Sequence, residues 1–428
     1  MCDAVGGLIA GVMRKNLHKK NAELSADQHE ALEAMLSGKN VFLTGKAGTG
    51  KTHLIQRFLK KHGKDTIITA PTGIAALAIH GATLHSVFRL RFGLLDPNTI
   101  EDLPRNQMHL IRKAKTLIID EISMVRADAF EAVFRKIEKC NTSLQIIVVG
   151  DFYQLPPVVR REEIPFFNEV FGGIFAFNSY AWKDADFTTC ELETVHRQND
   201  LAFVDILNKI RIGDSSGIPA LARCVGAKSH DSATSLVTTN AMADSVNGQK
   251  MAGIKATSHI FQAAVTGEFD GKEAPCPFAL EFKEGAKVIA IVNDSEGSYV
   301  NGSVGVITRI GKDYVAVDFG EGEIVRVESH AWEIIDYQYD AEKKEVREIV
   351  KGSFKQIPLK LGWALTIHKS QGMSIKNITV NLGFGAFAHG QVYVALSRAT
   401  SIDGLSLVKP IRAKDLIVDR AVARQMAA

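Results

Sequence analysis

The stretch VFLTGKAGTGKTHLI, residues 41–55, determines how the rest of the chain is interpreted. A β-branched and aromatic run leads into a glycine-rich turn, and a helical pattern follows that turn. Glycines let backbone N–H groups turn inward around phosphate oxygens, and the N-terminal end of a helix favours a bound anion. The stretch therefore predicts a strand, a phosphate-binding loop and a helix in direct succession.

The last residues of this loop indicate that the bound phosphates are those of a nucleotide. Residues 45–52 fit Gly-x-x-x-x-Gly-Lys-Thr, in which the lysine reaches the β- and γ-phosphates of a nucleotide and the hydroxyl binds Mg²⁺. Lys51 and Thr52 take those two positions. The phosphate site is expected to comprise Gly45, Gly48, Thr49, Gly50, Lys51 and Thr52.

Two adjacent acids follow a second apolar strand, in TLIIDEISMV (116–125). Ligands of open α/β sheets bind at the carboxyl ends of the strands, where Asp120 and Glu121 stand. Asp120 is a candidate Mg²⁺ residue, and Glu121 is placed to orient or deprotonate an attacking water. An Asp-Glu pair alone would be interpreted as a helix N-cap. About 65 residues after a phosphate loop, it favours a nucleoside triphosphatase.

Composition limits the protein class. The chain has 428 residues, which is too long for one ordinary core, so several domains are expected. Its formal net charge is only +3, so any nucleic-acid site must be local. The five cysteines are scattered and never spaced Cys-x-x-Cys, which argues against a disulfide framework or a zinc site.

Alternating strands and helical patterns predict the fold. Residues 40–45, 65–70, 116–120 and 144–150 resemble strands of a parallel sheet covered by helices on both faces. The alternation of strands and helical patterns resumes after about residue 188, with one strand ending near 240 and another at 377–382. Between these two halves, residues 285–335 show short alternating strands broken by Asn-Gly and Gly-Glu-Gly turns. We interpret this part as a small antiparallel barrel, with an ordinary antiparallel subdomain as the alternative.

Eight ordered blocks resemble one known group. A third strand ends in GDFYQLPP (150–157), which places the Gln154 amide where it could sense a γ-phosphate or the attacking water. The blocks are GKAGTGKT, APTGIAA, TLHSVF, IDEISM, GDFYQLPP, VHRQ, TIHKSQGMS and VYVALSRA. In this order they resemble superfamily 1 helicases, most closely the PIF (petite integration frequency) DNA helicase family. Residues 126–147 are shorter than that family's arginine-rich signature and lack its Phe-Gly-Gly turn.

The resemblance implies a fold and an activity. Members have two RecA-like parallel-sheet domains with ATP and Mg²⁺ in the cleft between them. They move 5′ to 3′ along single-stranded DNA and unwind duplexes. We therefore expect an α/β protein with a weakly ordered tail, two RecA-like domains, a strand-separating wedge inserted in the first and a Src-homology-like β-barrel inserted in the second. These segments are expected at 1–20 for the tail, 21–187 for the first domain, 89–108 for the wedge, 188–284 and 355–428 for the second domain, and 285–354 for the barrel.

The resemblance also implies roles for individual residues. Gln28 matches the adenine-reading glutamine, and Gln371 and Gly372 join the ATP site. Lys51, Glu121, Gln154, Arg197 and Arg398 are the expected catalytic residues. Arg197 and Arg398 match arginines that the second domain offers to the γ-phosphate, where a cation stabilises transition-state charge.

Candidate DNA contacts lie at strand ends and on neighbouring helices. Small polar groups and loop N–H donors there could bind successive phosphates without sequence preference, and aromatic rings could stack on bases. An apolar core position is the equal alternative for Phe88. The expected contacts are Pro71, Thr72, His85, Phe88, Phe92, Thr366, His368, Lys369 and Ser370.

Partners and location follow from the same observations. Single-stranded DNA and duplex junctions are the expected partners, with single-stranded-DNA-binding or replication proteins as further candidates. We expect a monomer in solution. No membrane partner is expected, because the apolar run at 5–13 is too short to span a bilayer. A cytoplasmic, nucleoid location is expected in a bacterium or phage, and a nuclear or mitochondrial location in a eukaryote. An RNA helicase and an ATP-switched adaptor remain alternatives.

Overall fold

The computed structural model describes residues 24–427 apart from 92, 141, 196–199, 228–229, 231–232, 270, 272–273, 295, 321–323 and 341–344. The expected tail at 1–20, Phe92 and Arg197 therefore lie outside the described residues. None of the helices within those ranges combines the length and apolar character that a membrane crossing requires.

Six parallel strands form the sheet that carries the phosphate-binding loop. They are β1 Val41–Gly45, β2 Thr66–Ala70, β3 Ala82–Thr83, β4 Thr116–Ile119, β5 Gln145–Val149 and β6 Thr188–Leu192. Their spatial order is β3-β2-β4-β5-β1-β6. The predicted parallel-sheet core is thus confirmed. Strand β6 pairs with β1 although it lies beyond residue 187, where the sequence placed the end of the first domain.

Helices cover both faces of this sheet because successive side chains of each buried strand point to opposite sides. On β1, Val41 and Leu43 pack with Phe58 on one face, whereas Phe42 packs with Phe130 on the other. The helices are α1 Ala26–Leu36, α2 Lys51–His62, α3 Gly73–Ala78, α4 Leu84–Phe88, α5 Arg105–Lys113, α6 Ala127–Lys139, α7 Ile164–Val170 and α8 Tyr180–Asp184.

A second parallel sheet is built from distant parts of the chain. Its strands are β7 Thr234–Val237, β18 Ala364–Thr366, β19 Ile378–Asn381 and β20 Leu405–Leu407, in the order β18-β7-β19-β20. The associated helices are α9 Leu201–Arg211, α10 Asn240–Ala252, α11 Gln391–Leu396 and α12 Arg420–Gln425. Helix α12 inserts Val422 into the core of the first sheet, so the chain returns to the first domain near its end.

An antiparallel unit lies between β7 and β18 in the sequence. It contains β8 His259–Gln262, β9 Ala264–Gly267, β10 Ala279–Phe282, β11 Lys287–Ala290, β12 Val304–Ile310, β13 Tyr314–Asp318, β14 Ile324–Glu328, β15 His330–Asp340, β16 Glu345–Gln356 and β17 Leu359–Leu361. Five of these strands form one sheet in the order β14-β13-β12-β11-β17. Their shared core also includes Leu280, Phe282 and Leu359, which lie outside the range 285–354.

The hairpin of β15 and β16 reaches across to the first sheet. Strand β3 pairs only with Thr69 and Ala70, which leaves the outer side of Ile68 available. The Tyr337 hydroxyl fills that place, at 3.3 Å from the Ile68 nitrogen and 3.4 Å from its carbonyl oxygen. Beside it, the buried Asp336 accepts hydrogen bonds from Arg89 at 3.2 Å and pairs with Lys351 at 2.6 Å. The antiparallel unit is thus attached to both domains.

Candidate active site

Glycine is required at the turns of the phosphate-binding loop. Gly45, Gly48 and Gly50 have φ of 144°, 84° and 86°, a region that other residues rarely adopt. A Cβ atom at Gly45 would also lie 2.5 Å from the Leu192 carbonyl oxygen of β6. Helix α2 begins at Lys51 directly after this turn, so its N-terminal N–H groups face the loop.

The Lys51 side chain, at the start of α2, folds back onto the phosphate-binding loop. The Lys51 ammonium donates to the carbonyl oxygens of Gly45 at 2.6 Å and Lys46 at 3.0 Å. Burial lowers the pKa of Lys51, while the negative charges of Asp151, Glu121 and Asp120 counteract that shift.

Gln28, the candidate for the adenine site, is buried, whereas Thr52, the candidate Mg²⁺ ligand of the loop, is exposed. Gln28 is buried, and its amide donates to the Thr49 carbonyl oxygen at 3.0 Å. Thr52 is exposed in the first turn of α2. Gln28 thus contacts the loop, and the Thr52 hydroxyl is open to a ligand.

The two acids follow β4 directly. The Glu121 backbone has φ of 50°, and its N–H donates to Asp120 Oδ1 at 2.9 Å. Burial, together with the neighbouring Glu121 charge, raises the pKa of Asp120 to about 7. Burial also raises the pKa of Glu121. A carboxylate and a hydroxyl, as at Asp120 and Thr52, are the oxygen donors that suit Mg²⁺.

A glutamine of the second domain joins the two catalytic candidates of the first. Gln371 Nε2 lies 3.0 Å from Glu121 Oε2 and 3.4 Å from Gln154 Oε1. Gly372, beside it, is exposed with φ of 79°. The structure therefore brings Lys51, Glu121, Gln154 and Gln371 to one cleft between the domains.

Arg398 lies deep in the second domain at the end of α11. It is 1% exposed, and its guanidinium donates to the carbonyl oxygens of Val394 at 3.0 Å, Met373 at 3.3 Å and Ser370 at 3.4 Å. Its positive charge, like that of Lys51, opposes the rise in the pKa of Glu121 that burial causes. In this arrangement Arg398 supports the turn that carries Gln371.

The DNA-contact candidates of the first domain differ in accessibility. Thr72 is exposed after β2, where its hydroxyl accepts a hydrogen bond from the Ala75 N–H and caps α3. Pro71 and His85 are partly exposed, and burial lowers the pKa of His85. Of the two alternatives for Phe88, the core position is the one that the structure shows, because its ring is 0% exposed in the core of the first sheet and cannot reach a base.

The second-domain candidates surround a short turn, His368–Ser370. Two hydroxyls are buried and used within the turn: Thr366 Oγ1 accepts from the Lys369 N–H at 3.3 Å, and Ser370 donates to the Ile367 carbonyl oxygen at 2.8 Å. These hydroxyls are buried and already bonded, so a phosphate contact at Thr366 or Ser370 stays a prediction that would depend on the loop N–H donors. Lys369 is exposed and His368 partly exposed, so these two remain candidates.

Four residues of the cleft were missed in the sequence. Asp151 forms a buried ion pair with Arg211 of α9, at 3.0 Å. The Tyr393 hydroxyl accepts a hydrogen bond from the Ala47 N–H of the phosphate-binding loop at 2.9 Å. His389 bonds to the Phe152 carbonyl oxygen. Asp151 lies inside the quoted block GDFYQLPP and could have been noted, whereas Arg211 and His389 lie outside every quoted block.

Comparison with known proteins identifies the family. Residues 23–217 match the family described as PIF1-like helicase. The ATP-dependent DNA helicase Pif1 of Bdellovibrio bacteriovorus is 32% identical over 422 residues, which cover 94% of this chain and 90% of that protein. The chain belongs to the PIF1-like helicase family. Human ATP-dependent DNA helicase PIF1 is 34% identical over 93% of this chain, which spans 62% of the length of the human protein.

Solved structures of PIF1-like helicases share the whole fold. Bacteroides sp Pif1 in complex with ADP-AlF4 superposes with a TM-score of 0.87 and 30% identity, covering 95% of this chain and 97% of that one. Bacteroides Pif1 bound to ssDNA gives a TM-score of 0.69 and 31% identity over the same shares of the two chains. The arrangement described above is thus closer to the ADP-AlF4 complex than to the ssDNA complex.

Proposed function

We propose that the protein is an ATP-dependent DNA helicase that translocates 5′ to 3′ on single-stranded DNA and unwinds duplexes. The observation that carries this proposal is the contact of Gln371, from the second domain, with Glu121 and Gln154 of the first. A hydrolytic centre shared between two domains makes the distance between them depend on the nucleotide, which a motor requires. The PIF1-like relatives named above as ATP-dependent DNA helicases support the same activity.

ATP would bind with its phosphates in the turn at Gly45–Thr52. Lys51 would exchange the carbonyl oxygens of Gly45 and Lys46 for the β- and γ-phosphates. Glu121 would take the proton of the attacking water, and Gln154 would orient that water. These assignments rest on the positions of the three side chains at the carboxyl ends of β1, β4 and β5.

Mg²⁺ fits the donor set at this cleft. Thr52 and Asp120 would hold it, and their oxygen atoms are the type of ligand that this ion prefers. Burial, and then the neighbouring Glu121 carboxyl, raise the pKa of Asp120, and a bound cation would favour its ionised form. When bound, Mg²⁺ supplies positive charge that offsets the charge of the β- and γ-phosphates.

Two arginines are proposed to approach the γ-phosphate from the second domain. For Arg398 this role requires the guanidinium to exchange the carbonyl oxygens of Ser370 and Met373 for phosphate oxygens, a step coupled to movement of the Gln371 turn. Arg197, matched only through its motif, is proposed for the same role.

DNA is proposed to cross the carboxyl ends of the two parallel sheets. Thr72 and Lys369 are exposed there, one in each domain, while Pro71, His85 and His368 are partly exposed. Such contacts bind the phosphate backbone of DNA without base specificity. We further propose that residues 89–108 act as a strand-separating wedge and that the antiparallel unit guides the strand.

Two measurements test this function. ATP hydrolysis should rise when oligo-dT is added, and an unchanged rate would contradict the proposal. Strand displacement should require ATP and a 5′ overhang, while a matched duplex with a 3′ overhang should stay intact. Stronger stimulation by a matched RNA strand would favour an RNA helicase, and stimulation without displacement would favour an ATP-switched adaptor.

A further inference from the structure

Residues 151–154 belong to the first domain but contact the second at every position. They follow β5 and end with the proposed water-orienting glutamine. Their four contacts are with Arg211, His389, Gly390 and Gln371. His389 donates from Nε2 to the Phe152 carbonyl oxygen at 2.7 Å, while its Nδ1 accepts the Asp419 N–H at 3.0 Å.

Tyr153 and Gln154 also contact the second domain, through the close approach of Gly390 and a hydrogen bond from Gln371. A Cβ atom at Gly390 would lie 2.4 Å from the Tyr153 carbonyl oxygen and 2.5 Å from that of Gln154, so only glycine fits there. The Gln154 side chain accepts a hydrogen bond from Gln371. The second domain therefore contacts each of the four residues, while the Phe152 ring packs in the core of the first domain.

Arg211 makes the most specific of these contacts. Its Nη2 lies 3.0 Å from Asp151 Oδ1, and its Nε lies 3.1 Å from Oδ2, which is a bidentate pair. The guanidinium also stacks on the Tyr153 ring, 4.4 Å from the ring centre. Arg211 is 6% exposed and Asp151 is 1% exposed. A single arginine thus fixes both the carboxylate and the ring of this segment.

Stability alone is a poor explanation for this pair. Burying two charges costs desolvation energy that their attraction only roughly repays, so such pairs stabilise a fold little compared with apolar packing. The position of Asp151 gives the pair a different significance. Asp151 Oδ1 accepts the Tyr153 N–H at 3.1 Å and the Asp151 carbonyl oxygen accepts the Gln154 N–H at 2.9 Å, so the pair with Arg211 holds the turn that ends in Gln154.

We propose that Arg211 is a positioning residue for ATP hydrolysis: by fixing Asp151 and Tyr153, it sets the location of Gln154 relative to the γ-phosphate. This inference rests on the proposed function, because it assigns how the second domain controls the hydrolytic centre. Arg211 itself contacts neither Glu121 nor Gln154 in the hydrogen bonds of the described residues. It acts through the backbone of residues 151–154.

Replacement of Arg211 tests the proposal by separating kcat from KM. Arg211→Gln should lower the oligo-dT-stimulated kcat about 100-fold, since a displacement of about 1 Å at a reacting group has that effect. KM for ATP and the affinity for oligo-dT should stay within about twofold, the pattern of a contribution made only in the transition state. Arg211→Lys keeps a cation but not the bidentate fork, so its kcat should be intermediate.

Lys209→Ala is the matched control. Lys209 lies on the same helix in an exposed pair with Asp205, and kcat should not change. Active sites are counted by binding of a fluorescent ATP analogue, so that loss of folded protein is not mistaken for loss of rate. If Arg211→Gln does not fold, Arg211→Lys carries the test alone. A wild-type kcat for the foldable variant would overturn the inference.

A double variant tests the route through Gln154. If Arg211 acts by placing Gln154, then Gln154→Ala combined with Arg211→Lys should be no slower than Gln154→Ala alone. If the double variant is slower than Gln154→Ala by the same factor that Arg211→Lys alone loses, this route is wrong. These outcomes are distinct from failure of the proposed function, which would appear as absent stimulation or absent strand displacement in the wild-type protein.

Discussion

Gln371 donates a hydrogen bond to Glu121 across the gap between the two domains, over 3.0 Å. The donor follows directly after the exposed Lys369 and the buried Ser370, and the acceptor is the proposed catalytic base. Since Ser370 is in turn bonded to Arg398 through its carbonyl oxygen, one short turn connects a candidate DNA contact, an arginine and the base. DNA that moves this turn would move a group bonded to Glu121.

Glu121→Gln should bind ATP and DNA but lose hydrolysis. The amide keeps the size of the side chain and a hydrogen bond to Gln371, but it cannot accept the proton of the attacking water. Removal of a general base costs about 10²- to 10⁴-fold in rate. Steady-state ATP hydrolysis and binding of a fluorescent ATP analogue check this result. Glu138→Gln, on the exposed side of α6, is the control, and near-wild-type hydrolysis by Glu121→Gln would remove it from this role.

Two replacements of Gln371 should differ in severity. Gln371→Ala removes the donor to Glu121, and we expect the oligo-dT-stimulated kcat to fall about 10-fold, the effect of roughly one hydrogen bond to a charged group. Gln371→Glu places a second carboxylate against Glu121, so its kcat should fall further. Lys376→Ala, exposed just beyond this loop, is the matched control. Equal rates for the two Gln371 variants would contradict a direct contact with Glu121.

Tyr337→Phe should weaken the attachment of the hairpin to the first sheet. Loss of the hydroxyl leaves the N–H and carbonyl of Ile68 without this partner, which costs about 1–3 kcal/mol when such groups are buried. Urea unfolding followed by circular dichroism measures the difference. Tyr314→Phe should stay within about 0.5 kcal/mol, because Tyr314 is partly exposed and its stacking with Arg326 needs only the ring.

The sequence predicted those features that depend on local patterns. The strands that carry Lys51, Glu121 and Gln154 were found because apolar runs end in glycine or in acids at the same edge of a parallel sheet. The family resemblance then added the second half of the cleft, including Gln371. Each of these signals lies within about ten residues of the side chain in question.

Features that depend on distant contacts could not be predicted. Nothing near Arg211 signals its partner, because Asp151 lies 60 positions away and the arginine ends an ordinary amphipathic helix. Phe88 was ambiguous because a short apolar run fits a core and a base-stacking surface equally well. The position of the hairpin on Ile68 depends on the short length of β3, which only the assembled sheet reveals.

The contribution of His389 to stability should fall as the pH drops below about 6.5. Burial lowers the pKa of His389, which uses both ring nitrogens in the neutral form, while Asp419 and Asp151 oppose that shift. The unfolded histidine takes up a proton near pH 6.5 and the folded one resists it, so acid favours unfolding. His85, His330 and His368 act in the same direction, whereas the raised pKa values of Asp120 and Glu121 act in the opposite one.

Urea unfolding at pH 7.5, 6.5 and 5.5 checks this dependence. His389→Gln keeps an amide donor for the Phe152 carbonyl oxygen but cannot titrate, so the wild type should lose stability relative to this variant as the pH falls from 7.5 to 5.5. An equal pH dependence in the two proteins would show that His389 does not contribute to it.

Lys369→Ala should weaken DNA binding by an amount that depends on salt but not on base sequence. The ammonium is exposed beside the turn at His368–Ser370, where it would neutralise one phosphate. Each such contact contributes about −0.7 to the slope of log affinity against log salt concentration for single strands. The variant should therefore show a slope smaller by about 0.7 for oligo-dT and for a mixed sequence alike. Lys64→Ala is the matched control. Lys64 comes before the amino-terminal end of β2, whereas Thr72 follows its carboxyl end, where DNA is proposed to bind. An unchanged slope for Lys369→Ala would place the DNA path elsewhere.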